Sequence, residues 1–185
     1  LPHFLLHHFP QGHITVVEQE QLVIELAHGF FHLPFSPRLD IRHQEALHFA
    51  RTEAPGGFQV AFLDIFGPGA MAPSLFDAEL YRLLLHQLTD DGILAINLWS
   101  GDRPLYRQAL EAADAASEGR MLSMAVKKRS NVIVLLFPQA VPTQRIKAAQ
   151  KQSPHFQQRF GLDFSLYLKR LRRANRASIL RTLFG

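Results

Sequence analysis

The sequence predicts an α/β protein: a three-layer α/β/α sandwich on a mostly parallel sheet that ends in an antiparallel hairpin. Three observations carry this. Short apolar runs of strand length alternate with stretches of helical spacing through residues 14–137. Two of the runs, 58–63 and 93–98, are apolar almost throughout, as a strand buried on both faces requires. The last two runs are joined only by Lys127-Lys-Arg-Ser-Asn131, too short for a crossover helix.

Each element has a local reason. Leu1-Pro-His-Phe-Leu-Leu-His-His-Phe9 has the spacing of a helix entered partway, without the basic segment or cleavage site of a signal peptide, so residues before Leu1 are expected. Ile14-Thr-Val-Val17 is a β-branched strand ending at Glu18. Residues 19–32 place Leu22, Val23, Leu26, Ala27 and Phe30 at helical spacing. After the loop Leu33-Pro-Phe-Ser-Pro37, a short strand covers 38–43 and a short helix 45–51. The strand 58–63 ends at Asp64, and two Gly and two Pro exclude a helix over Ile65–Pro73. Ser74 with Asp77 reads as a capping box for a helix reaching Leu88. Asp90-Asp-Gly92 reads as a turn before the strand 93–98. Asp102 caps a helix with Pro104 in its first turn, and Gly119 marks the exit. Strands at 121–126 and 132–137 form the hairpin.

Pro138 and Pro142 bound the domain, so residues 1–138 are expected to form it and 139–185 a basic helical extension. One helix is expected around 143–150 and a second around 163–175. On the second, Phe164, Tyr167, Leu168 and Leu171 share a face, with Lys169, Arg170, Arg172 and Arg173 largely opposite. The chain has 185 residues, 47% hydrophobic and 19% charged, which suits a folded domain and excludes wholesale disorder. It contains no cysteine, which excludes disulfides and thiolate chemistry and accords with a cytoplasmic protein. No run approaches the roughly 18–20 apolar residues of a membrane span.

The net charge of +4 conceals an asymmetry. Residues 1–144 carry 10 Lys/Arg and 15 Asp/Glu; residues 145–185 carry 10 Lys/Arg and Asp163 alone. The tail is expected to dock on the acidic domain, its own or a neighbouring subunit's. Nucleic-acid contact is the less favoured alternative, and plain solvation the third.

Ligands of open α/β sheets bind beyond the carboxyl ends of the strands. Glu18, Glu45 and Asp64 all fall there. One acid in such a place ordinarily caps the next helix; three at equivalent places point to a nucleoside-type ligand, since a carboxylate can accept both hydroxyls of a ribose. His3, His7 and His8 have spacings that could hold a metal, but surface histidines are the simpler account, and no metal is expected.

From Val16-Val-Glu18 to Trp99 the chain resembles the spermidine synthase-like branch of the S-adenosylmethionine-dependent methyltransferase superfamily, with a Rossmann-like fold, and the likeness extends over roughly residues 10–137. Val17-Glu18 resembles the family's ribose-binding acid. His43-Gln44-Glu45-Ala46 resembles its Gly-Asp-Ala segment, with Glu45 in place of the adenine-contacting Asp. Phe62-Leu63-Asp64 followed by Pro68 resembles the Asp-x-x-Asp-Pro loop, Ser74–Tyr81 the helix start after it, and Asp91-Gly92-Ile93-Leu94 the turn into the next strand. The resemblance implies cofactor contacts from Glu18, Gln19, Gln44, Glu45 and Asp64, and substrate contacts from Asp64, Tyr81 and Trp99. It implies S-adenosylmethionine or its decarboxylated form as cofactor, a small-molecule amine or methyl acceptor, and a homo-oligomer, a dimer. The lead function is aminopropyl transfer to a diamine with Asp64 as amine ligand and base; methyl transfer is the alternative, and a non-catalytic domain that keeps the fold the third. Two departures stand out. The family's first strand and glycine-rich turn are not in this sequence, and Gly67 stands where the loop's second Asp would be.

Overall fold

The computed structural model describes residues 1–55, 57–67, 71–176 and 179. The chain divides into two compact units, Leu1–Glu53 and Ala54–Gly185.

In the first unit, α1 (Pro2–His8) is followed by β1 (Ile14–Glu18), α2 (Gln21–Gly29), β2 (Leu39–His43) and α3 (Ala46–Thr52). β1 and β2 pair in parallel, with Ile14 opposite Leu39 and Glu18 opposite His43. The register leaves the carboxyl ends of both strands level. Arg38, at the entry to β2, donates to the carbonyls of Leu6, Phe9 and Gly12 at 3.1, 3.2 and 3.3 Å. It thereby ties the end of α1 and the turn after it to the entry of β2. The helix expected over 19–32 is shorter, and its apolar residues Leu22, Val23, Leu26 and Phe30 are exposed.

In the second unit, β3 (Phe58–Leu63) leads through a 3₁₀ turn (Pro73–Phe76) to α4 (Ala78–His86), β4 (Leu88–Trp99), α5 (Arg103–Ser117), β5 (Met121–Ala125), β6 (Asn131–Leu136), α6 (Thr143–Phe160) and α7 (Phe164–Ala174). The strand order is β3-β4-β6-β5. β3 and β4 are parallel; β6 is antiparallel to both β4 and β5. The hairpin therefore enters the sheet through its second strand.

Alternation along the strands separates two faces. Leu94, Ile96 and Leu98 of β4 lie opposite Leu136, Val134 and Val132 of β6, and all six are buried. α4 and α5 pack on β4. α4 contributes Leu80, Tyr81, Leu84 and Leu85, and α5 the small residues Ala109, Ala113 and Ala116 that let the helices approach closely. A second cluster joins Leu122 of β5 and Leu135 of β6 to Phe137, Val141, Ile146 and Leu171. Helices thus cover both sides of this sheet, as a three-layer α/β/α fold requires.

Four expectations need correction. The cap of α4 is Asp77, whose carboxylate accepts from the Glu79 amide at 2.8 Å; Ser74 lies inside the preceding 3₁₀ turn. Asp90-Asp-Gly92 is no turn but a bulge within β4: Phe58 pairs with Leu88 and Val60 already with Ile93. Gly92 is needed there, because a Cβ would stand 2.7 Å from the Leu88 Cβ and 2.8 Å from the Thr89 carbonyl. α6 runs ten residues past 150 despite Pro154. The proline removes a bond to the Gln150 carbonyl, and the buried Ser153 hydroxyl replaces it at 2.9 Å. On α7, Leu171 is buried but Tyr167 is exposed.

α7 docks on the edge strand β5. The Asn175 side chain accepts from the Ser123 amide at 2.9 Å and donates to the Ser123 carbonyl at 2.7 Å. The amide thus imitates the partner strand that β5 otherwise lacks on this side. Asn175→Ala is expected to cost about 1–3 kcal/mol in urea denaturation, the range for leaving buried hydrogen-bonding groups unpaired. Lys169→Ala, on the exposed side of α7, is expected to stay within about 0.5 kcal/mol. Equal effects would refute the clamp.

Candidate functional site

Asp64 is the first residue beyond β3, and the parallel register sets Leu63 opposite Ile96 of β4. Its carboxylate accepts from Asn97 Nδ2 at 2.9 Å. Asn97 Oδ1 in turn accepts from Asn131 Nδ2 at 3.0 Å. The three residues come from the ends of β3, β4 and β6. The loop beyond Asp64 is tied down on either side of residues 68–70. Phe66 and Met71 form an antiparallel bridge, and buried Met71 accepts through Sδ from the Trp99 amide at 3.4 Å. The Trp99 indole lies over Gly101, where a Cβ would collide with the ring. The next residue, Ser100, is fixed by its amide to the Ser130 carbonyl at 2.6 Å. One carboxylate is therefore presented at the end of β3, held by an amide, with the partly exposed Phe66 and Trp99 both tied to Met71 in the loop that follows.

In the first unit, Glu18, Gln19, Gln44 and Glu45 gather at the carboxyl ends of β1 and β2. Glu18 Oε1 accepts from the Glu20 amide at 2.9 Å, and Glu45 Oε2 caps α3 by accepting from the His48 amide at 2.9 Å. His43 Nε2 meets the Gln19 carbonyl at 2.9 Å, and the Gln44 amide donates to the Glu18 carbonyl at 3.1 Å. Each carboxylate keeps a second oxygen with open acceptor positions. The two carboxylates supply acceptors and the Gln19 and Gln44 side-chain amides both donors and acceptors, a set able to bind hydroxyl and amino groups.

Tyr81 lies elsewhere. It is fully buried, and its hydroxyl donates to the Leu75 carbonyl at 2.7 Å. Burial raises its pKa well above the ordinary value, so it stays neutral at working pH. Tyr81 anchors the turn after the Asp64 loop rather than facing solvent. Asn97 and Asn131 were not singled out by the sequence reading. Their signal was modest: an amide interrupting the apolar run 93–98, and another just before the run 132–137. Among the described residues no group of three or more His, Cys, Asp or Glu side chains could hold a metal ion, and no helix is long and apolar enough to cross a membrane.

No protein-family model matches the chain. Among curated proteins, a polyamine aminopropyltransferase of Neisseria meningitidis is 27% identical over 91% of this chain and 64% of its own length. That of Chromobacterium violaceum is 25% identical over 93% of the chain and 66% of its length. The chain thus spans slightly under two thirds of these relatives. A mouse eEF1A lysine and N-terminal methyltransferase is 26% identical over 79% of the chain and 22% of its own length. Among solved structures, human methyltransferase-like protein 13 in complex with SAH has a TM-score of 0.68 at 21% identity, covering 95% of this chain and 77% of that one. A probable spermidine synthase from Corynebacterium glutamicum has a TM-score of 0.65 at 20% identity, covering 82% and 57%. The resemblance read from the residues is therefore borne out, and so is the α/β fold, which these solved structures share.

Two outcomes test the local geometry. Gly101→Ala is expected to displace the indole of Trp99, the sole tryptophan. Its fluorescence emission should shift while the far-ultraviolet dichroism stays native. Unchanged emission would contradict the packing. Tyr81→Phe is expected to cost about 1–2 kcal/mol through the unpaired Leu75 carbonyl. The folded state raises the Tyr81 pKa, so Tyr81 supports folding fully below about pH 10 and loses that contribution as pH rises beyond it. Denaturation above pH 10 should accordingly be less pH-dependent in Tyr81→Phe.

Proposed function

We propose that this chain carries the catalytic core of an aminopropyltransferase, moving an aminopropyl group from decarboxylated S-adenosylmethionine to a diamine. The observation that carries it is Asp64: a carboxylate at the end of a parallel strand, held by Asn97, at the position matching the acceptor loop of the aminopropyltransferases. The curated relatives with that activity support the same assignment.

The residues divide the work. A protonated amine has no lone pair to attack with, so it must be bound as a cation and then deprotonated. Asp64 does both: its carboxylate attracts the ammonium and takes the proton. Asn97 leaves Asp64 Oδ2 uncommitted to itself by engaging Oδ1. Glu18 holds the ribose hydroxyls and Glu45 the adenine amino group, with Gln19 and Gln44 beside them. The sulfonium substrate supplies a carbon bonded to positive sulfur. The amine nitrogen bonds to that carbon, the carbon–sulfur pair stays on sulfur, and a neutral thioether leaves.

A second reading, methyl transfer from S-adenosylmethionine, is favoured by Gly67 in place of a second acid and by the apolar character of the loop after Asp64, with Phe66 and Met71. We infer that residues 1–138 form the part that binds both substrates and 139–185 the part that braces it.

Calorimetry separates the readings. Aminopropyl transfer predicts clearly tighter binding of the decarboxylated cofactor; tighter binding of S-adenosylmethionine overturns it in favour of methyl transfer. Glu18→Gln is expected to weaken either ligand by about tenfold or more, since a charge-assisted hydrogen bond is lost. Asp64→Asn should leave cofactor affinity unchanged and lower turnover by about 10²–10⁴-fold, the range for a general base.

A further inference from the structure

We propose that Asn131 is a positioning residue for Asp64, acting through Asn97. The inference rests on the reading of Asp64 as the amine-binding base.

The orientation of the chain of amides follows from elementary hydrogen-bond chemistry. An ionised carboxylate only accepts. Asn97 must therefore turn its Nδ2 to Asp64, which leaves its Oδ1 facing away. Oδ1 only accepts as well, so Asn131 must turn its own Nδ2 towards it. The observed contacts, 2.9 Å and 3.0 Å, have this polarity throughout. The constraint also runs backwards. While Asn131 donates to Asn97, the Asn97 amide cannot flip and present its oxygen to Asp64. Each bond polarises the next.

The sheet supplies the rigidity. Asn97 lies opposite Ile133, and Asn131 opposite Trp99, so the two amides are diagonal neighbours on one face. The Asn131 carbonyl accepts from the Val126 amide at 2.8 Å, and the Ser130 carbonyl accepts from Ser100. Asn131 is thus fixed by the hairpin at one end and by β4 at the other. Half-buried amides on a sheet face cost stability unless paired. Here they satisfy each other and terminate on the one carboxylate at the strand ends.

Nuclear magnetic resonance of the side-chain amide groups reads the relay without any turnover. Asp64→Asn, which removes the charge at the end of the relay, is expected to displace the Asn97 and the Asn131 NH₂ signals together. If Asn97 responds and Asn131 does not, the relay is refuted. Turnover then tests its role. Asn131→Leu removes the donor. Asn131→Asp replaces it with an acceptor, which turns Asn97 over and aims its oxygen at Asp64. Both variants are expected to lower kcat by about tenfold or more, the scale for supporting residues around a reactive group. Asn131→Asp should be the worse, with cofactor affinity unchanged in both. Asp64→Asn inactive while both Asn131 variants keep the parental kcat overturns the positioning role. Full turnover by Asp64→Asn instead overturns the reading of Asp64 and leaves the relay to the resonance result.

Discussion

β4 is paired on both edges, in parallel with β3 and antiparallel with β6, and the second unit is organised around that double pairing. One face of the strand buries Leu94, Ile96 and Leu98 to within 1% of full enclosure. At roughly 1.5–3 kcal/mol for each such side chain, this face sets the register of the sheet. A one-residue slip would put the leucines where Asn97 and Trp99 stand. The same register that closes the core therefore decides where the polar residues emerge. Asn97 comes level with the end of β3, where it meets Asp64, and Trp99 comes level with Met71.

Much of this is legible in the linear sequence because its causes are local. The apolar runs, the Asp102 cap and the hairpin all depend on residues within a few positions. Glu45 and Asp102 cap their helices, each accepting from a backbone amide three residues on. Where the sequence pattern misleads, a strand pairing or a competing neighbour decides. Asp90-Asp-Gly92 carries a turn signal, but pairing with β3 draws it into a strand as a bulge. Ser74 and Asp77 both suit a cap, and Pro73 decides between them by starting a 3₁₀ turn first. Pro154 ought to stop α6, and only the Ser153 hydroxyl explains why it does not.

The site shows the same division. Glu18, Glu45 and Asp64 were visible because strand ends are predictable and acids there are few. Asn97 and Asn131 were not, since their contact spans 34 positions of sequence and depends on the β4–β6 register. Tyr81 lay on a motif yet faces the core, because helix periodicity puts it with Leu80, Leu84 and Leu85. The basic tail was legible in charge but not in detail. Its docking rests on Leu171 and on the Asn175 clamp, with the Arg145 guanidinium donating to the Asp91 carbonyl at 2.7 Å as a further tie. Shape and hydrogen bonding place α7; its cations Lys169, Arg172 and Arg173 remain on the outer side.

The central claim is chemical: a carboxylate held by a two-amide relay receives an amine that then takes an aminopropyl group. Mass spectrometry of the amine after incubation with decarboxylated S-adenosylmethionine addresses it most directly. The account predicts a diamine enlarged by one aminopropyl group, with methylthioadenosine formed in equal amount. An unchanged amine, or an acceptor methylated from S-adenosylmethionine in its place, would contradict it.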